Sequence, residues 1–413
     1  MAQSFSIKNY FKKIHTHELL ADLYEKNSIT AILGITENTS RKNAVDIMMD
    51  FYKSLSPSQR IDIEKELIII SNLSTKHSIP LFISLLKEKK LPHDITTVEC
   101  KTTEDKVLYY YLHHKDIFDE VMFFHDFYIS RGYMLYEAKE VDLTKAIFSV
   151  TELTKEFKRI ANKDERATEC DVIAKNLDGL FYLHATFEGG SHISPRRDNT
   201  TGEIDRTRTV RKQEEVKIVY LPKDNEVLIS YTRSKHEKII FLDTFLRIVC
   251  NSGYNEKIES FDLKKFKNKD FDFSTTNNNT PLLMWKIKAI TFSISGEEKT
   301  KKKMKLSLPS TVQEDRLNPL FSMLEELNLS KQFQQYSIEN IALNFSFINK
   351  ENPEKSVNVS CSLSQNKSSL CPLFQYDRYA RTLLKQSGIY SGFVEQAKKD
   401  VEKVNSKWST NEE

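Results

Sequence analysis

The spacing of apolar residues changes once along this 413-residue chain, between Asn162 and Asp171, and this change constrains the fold more than any other feature. Before it, apolar residues recur at helical spacing, three to four positions apart. After it, short stretches alternate apolar and polar residues and are separated by turn residues, the pattern of β-strands. The sequence therefore predicts an α+β protein: an N-terminal all-helical domain (residues 1–165), an antiparallel-sheet domain (171–393) and a charged C-terminal tail (394–413).

The helical pattern is most regular between residues 143 and 161. Eight apolar residues form one stripe there, namely Leu143, Ala146, Ile147, Val150, Leu153, Phe157, Ile160 and Ala161. This stripe predicts one continuous helix over residues 144–162 with its apolar side in the core. Truncating Leu143, Ile147 or Phe157 to alanine is expected to destabilise the helical domain by about 2–5 kcal/mol each.

Aromatic residues are concentrated just before that helix. Ten of the 28 residues from Tyr109 to Tyr136 are Phe or Tyr. A helical segment that is apolar on most sides is usually a buried central helix. The alternative is an aromatic surface on which bases or another ligand stack. We expect the buried helix, because helical segments rarely present stacking surfaces.

The second domain repeats one arrangement three times, in which two strands joined by a turn are followed by a helix. The predicted strand pairs are residues 216–221 with 227–231, 285–294 with 304–308, and 338–348 with 357–363. The helices follow at residues 239–249, 311–327 and 376–386, and Gly388 is placed to end the last one. Because the spacing is uneven, a repeat protein is excluded, and we expect one antiparallel sheet with helices on one face. Residues 251–281 are expected to form a loose connector.

Composition indicates a reducing compartment and no strong overall charge. The five cysteines are Cys100, Cys170, Cys250, Cys361 and Cys371, and no CxxC pair occurs, which excludes a zinc ribbon and a dense disulfide framework. The net charge of +3 is too small to require a polyanionic partner, so any basic surface must come from local clustering. No signal peptide or membrane span is visible, and we expect a cytoplasmic protein without membrane association. The sequence indicates no cofactor and no metal site.

Three short motifs contain residue types that occur in catalytic sites. His125-Asp126 has the form of a metal-binding dipeptide, but no further ligands can be assigned, so a structural or surface histidine is expected. The glycines of residues 188–192 follow a strand but lack a full phosphate-binding fingerprint, and we expect the strand to end there in a mobile loop. In Glu215-Val216-Lys217 an acidic residue precedes a lysine by two positions, as a restriction-type nuclease core requires. Charges that protect the edge of a strand give the same pattern.

Basic residues form two local clusters at predicted strand edges or turns. The cations expected to contact nucleic acid are Arg196, Arg197, Arg206, Arg208, Arg211, Lys212, Lys301, Lys302 and Lys303. Arginine can form two parallel hydrogen bonds to a phosphate, and clustered cations neutralise several phosphates at once. Two hairpins that present these cations from one sheet would line a groove for a polyanion. The competing interpretation is that the charges only solvate the tips of the hairpins.

Three hypotheses about function follow. The leading one is a non-enzymatic binding component of a larger assembly, associated with nucleic acid, joined by protein partners and involved in defence against foreign DNA. The second is a nuclease or hydrolase whose site is assembled from residues distant in sequence. The third is a protein-binding adaptor that uses the helical domain. No catalytic residue can be named from the sequence alone.

Overall fold

The N-terminal part of the chain folds into helices. The structure is a computed structural model and describes residues 5–29, 34–36, 39–75, 77–92, 100–130, 133–162, 170–193, 196–197, 204–205, 209–231, 235–255, 257–273, 282–294, 302–308, 317–349 and 353–395. The first helices are α1 (Ile7–Phe11), α2 (His17–Lys26), α3 (Arg41–Ser54), α4 (Pro57–Leu73), α5 (Ser78–Glu88), α6 (Thr103–His113) and α7 (Lys115–Ile129). None of the described helices combines the length and the apolar character needed to cross a bilayer.

Packing divides the chain into two units. The first consists of Met1–Gly132 and Ala174–Tyr182, and the second of Tyr133–Ile173 and Leu183–Glu413. Helices dominate the first unit and antiparallel strands the second, so the α+β prediction is confirmed. The predicted boundary falls mainly on residues 163–169, which lie outside the described residues, and it stays a prediction.

The aromatic-rich segment forms part of the core of the first unit. Tyr110, Phe118, Phe124 and Phe127, on α6 and α7, are almost completely buried. Phe124 and Phe127 both contact the ring of Tyr182 edge to face, with ring centroids 5.0 and 5.2 Å away. Such contacts between aromatic edges and faces stabilise a core beyond the burial of area alone. The buried-helix interpretation is therefore confirmed for these residues.

Antiparallel strands form most of the second unit, while residues 174–182, at the end of the second strand and the start of the third, belong to the first unit. The strands are β1 (Met134–Glu137), β2 (Cys170–Leu177), β3 (Leu180–Ile193), β4 (Arg196–Arg197), β5 (Ile204–Asp205), β6 (Thr209–Leu221), β7 (Glu226–Tyr231), β8 (Lys257–Phe261), β9 (Leu282–Ile294), β10 (Lys302–Ser307), β11 (Ser337–Ile348), β12 (Ser356–Ser364), β13 (Lys367–Ser368) and β14 (Tyr390–Glu395). The remaining helices are α8 (Leu143–Phe148), α9 (Val150–Asn162), α10 (Lys235–Cys250), α11 (Asn318–Glu326), α12 (Ser330–Phe333) and α13 (Gln375–Gln386).

These strands form two five-stranded sheets instead of the single sheet that was predicted. The first sheet has the strand order β1-β7-β6-β3-β2, and the second has the order β10-β9-β11-β12-β13. Two smaller pairs are β14 with β8 and β4 with β5. All three predicted hairpins are confirmed, because β6 pairs with β7, β9 with β10 and β11 with β12.

The first sheet is buried on both faces where β6 pairs with β7. All six residues 216–221 of β6 are buried. Phe241 of α10 covers one face, with ring centroids 5.5 Å from Phe187 and 5.3 Å from Tyr231. Phe157 of α9 in turn contacts Phe241 at 5.0 Å. Burial on both faces explains why this strand is almost continuously apolar.

The second sheet is buried mainly on one face; on its other face Asn344 and Ser346 of the central strand β11 are also buried. In β12 the buried residues Val359, Cys361 and Leu363 alternate with the exposed residues Ser360 and Ser362. Side chains from α11, α12 and α13 join the buried face in one apolar core. Alternation along the strands and burial of a single face go together in antiparallel sheets. This sheet therefore matches the predicted arrangement, with helices on one face.

Arg381 forms a buried ion network that joins α13 to β7 and β8. Its guanidinium donates one hydrogen bond to Glu226 and one to Glu259, both at 2.8 Å. All three side chains are buried, and the guanidinium carbon lies 5.1 Å from the ring centroid of Tyr390. Burial raises the pKa of both glutamates, because it penalises their charged forms. Lys385, with its Nζ 3.8 Å from Glu226, supplies a second positive charge.

The predicted helix over residues 144–162 is interrupted. It forms α8 and α9, which are separated at Ser149. The hydroxyl of Ser149 donates to the carbonyl oxygen of Lys145 at 2.9 Å, a side-chain bond to the preceding turn that often bends helices. Leu153 and Phe157 are buried as expected, but Ile147 is 38% exposed, so the prediction that it belongs to the core is wrong.

Strands replace other predicted structure in four places. Residues 134–137, predicted as part of a helix, form β1, which pairs with β7. The predicted connector contains β8, which pairs with β14. The backbone of residues 188–192 does not leave the sheet in a loop but continues β3 as far as Ile193. Val394 and Glu395, assigned to the tail, end β14, and the rest of the tail lies outside the described residues. The strands β1, β8 and β14 need partners distant in sequence, which a local pattern cannot reveal.

Candidate nucleic-acid interface

The nine predicted cations do not share one sheet. Arg196 and Arg197 lie in β4, Arg211 and Lys212 in β6, and Lys302 and Lys303 in β10, while Arg206, Arg208 and Lys301 lie outside the described residues. Because β4, β6 and β10 belong to three different sheets, the expected groove lined from a single sheet is wrong. Of the nine side chains, only that of Lys303 is described, and it is 62% exposed.

The second sheet presents polar side chains on the side opposite its core, and we call this surface the polar face. Its described members are Lys286, Lys288, Thr291, Ser293, Lys303, Lys305, Glu339, Asn340, Asn344, Ser346, Asn358, Ser360, Ser362 and Lys367. The strand register brings them together: Lys305 lies opposite Thr291, which lies opposite Asn340, which lies opposite Ser364. Since adjacent strands are about 4.8 Å apart, residues from five strands form one continuous surface.

Hydrogen bonds between strands order the middle of the polar face. The bonded pairs are Asn340 with Ser362 at 3.0 Å, Asn344 with Ser360 at 3.1 Å, and Ser346 with Asn358 at 2.5 Å. The ammonium group of Lys288 donates to the hydroxyl of Ser360 at 2.9 Å. Asn344 and Ser346 are buried, so among these residues it is the exposed Asn358, Ser360 and Ser362 that could contact phosphate oxygens, with little further loss of side-chain entropy.

Lysines dominate the charge of the polar face. Its cations are Lys286, Lys288, Lys303, Lys305 and Lys367. The one carboxylate among its described members is Glu339, which lies 2.5 Å from Lys303 Nζ. The surface therefore has a clear excess of positive charge on a protein whose net charge is only +3. Clustered cations of this kind attract polyanions.

Sequence reasoning found Lys303 and its neighbours in β10 but missed the lysines of the adjoining strands. Lys286 and Lys288 are isolated in the sequence, and so is Lys367. A signal was present in β9, where Lys286 and Lys288 alternate with the buried residues Trp285 and Ile287. Alternation placed them on the outer face. The strand order, which puts them beside Lys305, could not be read locally.

A second polar cluster lies within the second unit, between β3 and β6 of the first sheet. Lys217 Nζ is 3.0 Å from Glu215 Oε2, and His184 Nε2 is 3.7 Å from the same oxygen. Glu215 and Lys217 share a face because they are two positions apart on one strand. Glu214 points to the opposite face and accepts a hydrogen bond from the hydroxyl of Tyr231 at 3.2 Å. The cluster therefore combines a carboxylate, an ammonium and an imidazole, the groups that general acid–base chemistry uses.

Other candidate catalytic groups have structural roles. His125 is buried and lies 2.9 Å from the hydroxyl of Thr75, and burial lowers its pKa, as expected for a neutral structural histidine. Burial also raises the pKa of the thiols, to about 11 for Cys100, Cys170 and Cys250. A thiol with such a pKa is almost entirely protonated at neutral pH and is a poor nucleophile.

Comparison with known proteins adds no family to this geometry. No protein-family model matches the chain, and no match was found among curated proteins. What the polar face binds must therefore be inferred from its charge and its hydrogen-bonding groups.

Proposed function

We propose that the protein is a nucleic-acid-binding component that contacts the phosphate backbone through the polar face of its second sheet. The excess of lysines over carboxylates on this face carries the proposal. Lysine ammonium groups neutralise phosphates, and the hydroxyl and amide groups between them donate further hydrogen bonds. These groups are spread over five strands, so several consecutive phosphates can be contacted at once.

The chemistry of the polar face predicts binding with little sequence preference. No aromatic side chain occurs among its described members, so bases have no ring on which to stack. Phosphate contacts fix the position of a nucleic acid but do not read its bases. Affinity should therefore depend strongly on salt and only weakly on sequence.

The test is a fluorescence-anisotropy titration of the full chain with single- and double-stranded DNA and RNA at about 50 mM salt. We expect binding that weakens steeply as salt rises. Combined reversal of Lys286, Lys288 and Lys305 to glutamate should weaken binding by more than about tenfold. It should also flatten the salt dependence by about 0.9 for each duplex phosphate contact that is lost.

A matched control reverses three exposed lysines of the first unit, Lys42, Lys53 and Lys65, which lie on α3 and α4. It changes the net charge by the same amount, so an equal loss of affinity would show that only overall charge matters and would contradict the proposal. Absence of binding by the unmodified chain would also contradict it and would favour the protein-binding adaptor.

The arginines of the first cluster can be tested in the same way. Reversal of Arg206, Arg208 and Arg211 should weaken binding further if this segment adds phosphate contacts to those of the polar face. Equal affinity of this variant and the unmodified chain would restrict the interface to the second sheet.

The contacts among His184, Glu215 and Lys217 favour a second candidate function, phosphodiester hydrolysis. The Glu215 carboxylate and the His184 imidazole are ligand types that suit a divalent cation, and the Lys217 ammonium can neutralise a phosphate oxygen. Water would attack phosphorus, and the bond to the leaving oxygen would break with proton transfer to that oxygen. Cleavage of a bound oligonucleotide with Mg²⁺ or Mn²⁺ should then be lost in Glu215→Gln and kept in the control Glu152→Gln, which changes an exposed residue of α9. If the unmodified chain leaves the oligonucleotide intact with both ions, this candidate fails.

A further inference from the structure

A polar cleft of about 470 Å³ lies within the second unit, beside the end of the second sheet where β11 begins. Its wall is formed by β8, by the 3₁₀ helix Leu263–Lys267, by the start of β11, by the turn between β12 and β13, and by β14. A volume of this size is within the range of sites that hold small organic ligands. The cleft is separate from the lysines of the polar face, none of which lines it.

Two lysines give the cleft its charge. Lys264 and Lys267 both line it, and they are three positions apart on the 3₁₀ helix. Because a 3₁₀ helix has three residues per turn, these two side chains lie on the same side. The pKa of Lys267 is lowered, first by burial and second by the charge of Lys264. The charge of Lys264 therefore reaches the ammonium group of Lys267, and an anion bound beside both would offset this repulsion.

The structure also fixes the position of Lys267. Its Nζ donates to the carbonyl oxygen of Gln334 at 2.7 Å, and the amide of Gln334 donates back to the carbonyl oxygen of Lys267 at 3.0 Å. Lys264 is exposed, and Asp262, the one carboxylate among the described residues that line the cleft, already accepts a hydrogen bond from the backbone N–H of Lys264 at 3.1 Å. The charge of the cleft is therefore positive, and one of its two cations is rigidly held.

Neutral donors complete the lining. They include the amides of Gln365 and Asn366 in the turn after β12, and the hydroxyls of Ser260, Ser337 and Ser391. Uncharged amides and hydroxyls beside two cations suit an oxyanion better than a cation or an apolar ligand. The lining is thus chemically matched to a phosphate group with a polar substituent.

The cleft and the polar face are at the same end of the second sheet. Ser337, which lines the cleft, lies opposite Ser293, and Ser293 lies opposite Lys303 of the polar face. Since adjacent strands are about 4.8 Å apart, Ser337 and Lys303 are about 10 Å apart across the sheet. A chain of phosphates lying on the polar face could therefore reach the cleft with its end.

We propose that this cleft binds a phosphomonoester, the terminal phosphate of either a free nucleotide or a nucleic-acid chain. The dianion can be contacted by both ammonium groups, those of Lys264 and Lys267, which outnumber the single carboxylate of Asp262 in the described lining. A phosphodiester within a chain carries only one negative charge and is attracted less strongly. The chain-end version rests on the proposed function, and the free-nucleotide version is independent of it.

Calorimetric titration of the full chain with AMP, and with adenosine as the probe without a phosphate, tests the shared chemistry. AMP should bind at least about tenfold more tightly than adenosine, and Lys264→Gln should remove most of this difference. Lys264 is exposed, so its substitution should leave the melting temperature unchanged. Lys267→Gln should likewise remove most of the affinity difference between AMP and adenosine. This variant tests the lysine that is hydrogen-bonded to Gln334. The control is Lys269→Gln, an exposed lysine of the same segment that does not line the cleft, and it should bind AMP like the unmodified chain.

Oligonucleotides with and without a terminal phosphate at the 5′ or 3′ end show whether the bound phosphate belongs to the end of a nucleic-acid chain or to a free nucleotide. A gain in affinity from the terminal phosphate that is lost in Lys264→Gln would support the chain-end source. Binding of AMP without such a gain would support the free nucleotide. The proposal is overturned if neither AMP nor a terminal phosphate binds better than its phosphate-free counterpart, or if Lys264→Gln leaves both unchanged. If the protein binds AMP but no oligonucleotide, the proposed function is overturned, but the proposal that the cleft binds a phosphomonoester still stands.

Discussion

The first and second sheets both contain a hairpin followed by a helix, yet their charged side chains differ in exposure to solvent. In the first sheet, Glu214, Lys217 and Glu226 are buried, and all three take part in hydrogen bonds or ion pairs. In the second sheet the cations Lys303 and Lys305 are exposed on the side opposite the core. The burial of one face or of two therefore decides whether a charge on a strand holds the fold together or remains available to a ligand.

The sequence of the central strands already carries this difference. Residues 216–221 are apolar except for Lys217, whereas β12 alternates serine or asparagine with apolar residues. A strand that is covered on both faces cannot place a polar residue without giving it a partner, because an unpaired buried polar group is costly. A strand with one open face has no such restriction. The open face is therefore where a binding surface could develop without loss of stability.

The largest effect is expected for the buried ion network. Arg381→Met leaves Glu226 and Glu259 without the guanidinium that they share, and breaking a buried pair typically costs about 3–5 kcal/mol. Arg378→Met, an exposed position on the same helix, should cost less than about 0.5 kcal/mol. Urea denaturation of both variants measures the difference. If both variants were equally stable, burying Glu226 and Glu259 without the guanidinium of Arg381 would carry no cost.

The free energy of unfolding of Arg381→Met should also depend on pH differently from that of the unmodified chain. The folded-state pKa of Glu226 and Glu259 is raised, so their contribution to stability is present in acid and is lost as pH rises through the raised pKa. Without the charge of Arg381 the pKa values rise further, since the guanidinium lowers them. The stability deficit of Arg381→Met should therefore be smaller at about pH 5 than at about pH 7.5. A deficit that grows towards acid would contradict this assignment of charge.

Phe157→Ala tests whether α9 and α10 cover the first sheet. Phe157 is fully buried against Phe241, which packs on Phe187 of β3, so its truncation should cost about 3–5 kcal/mol. Ile147→Ala, on the adjoining helix α8, should cost less than about 1 kcal/mol because that side chain is partly exposed. Thermal or urea unfolding compares the two. Similar costs would restore the original prediction of one continuous buried stripe.

Pairs of adjacent residues test the contrast between the sheets directly. In β6, Ile218→Ala and Val219→Ala should each cost more than about 1 kcal/mol, because neighbours on a strand point to opposite faces and both faces are buried. In β12, Leu363→Ala should cost about 2–5 kcal/mol, but Ser362→Ala less than about 0.5 kcal/mol. The contrast fails if Val219→Ala is as mild as Ser362→Ala.

Local elements of this fold could be predicted from the sequence because their causes are local. Ser56 and Gln59 form the reciprocal hydrogen bonds that begin α4, at 3.3 and 3.1 Å. Gly388 ends α13 with a φ of +66°, a conformation that glycine adopts without strain. The turn at residues 222–225 joins β6 to β7 as expected. In each case the residues that determine the structure are within a few positions of one another.

The arrangement of strands could not be predicted, because its causes are distant in sequence. Pairing of β8 with β14 and of β1 with β7 joins segments that no local pattern relates. The same limit applies to the candidate site. Lys303 was identified because it lies in a run of lysines, but Lys286 and Lys367 become part of the same surface only through the order of the strands. A run of charged residues in the sequence identifies one strand of a charged surface. The residues beside it on that surface come from other strands and depend on the strand order.

The smallest effect on stability, and the sharpest test of the comparison, is expected from two lysines on different sheets. Lys288 is exposed on the polar face, with one hydrogen bond to Ser360, so Lys288→Ala should change the free energy of unfolding by less than about 0.5 kcal/mol. It should nevertheless weaken oligonucleotide binding several-fold at about 50 mM salt and reduce the salt slope by about 0.9 on duplex DNA. Lys217 is buried beside Glu215 on the first sheet, so Lys217→Ala should cost more than about 1 kcal/mol. If the polar face alone binds, this variant should leave the affinity for oligonucleotides unchanged, whereas the hydrolytic candidate requires a loss. Denaturation and anisotropy are measured on both variants. The comparison requires that Lys288→Ala lose affinity but not stability, and that Lys217→Ala lose stability but not affinity. If Lys288→Ala loses stability, or if Lys217→Ala loses affinity while still folded, burial alone does not separate structural from binding lysines in this protein.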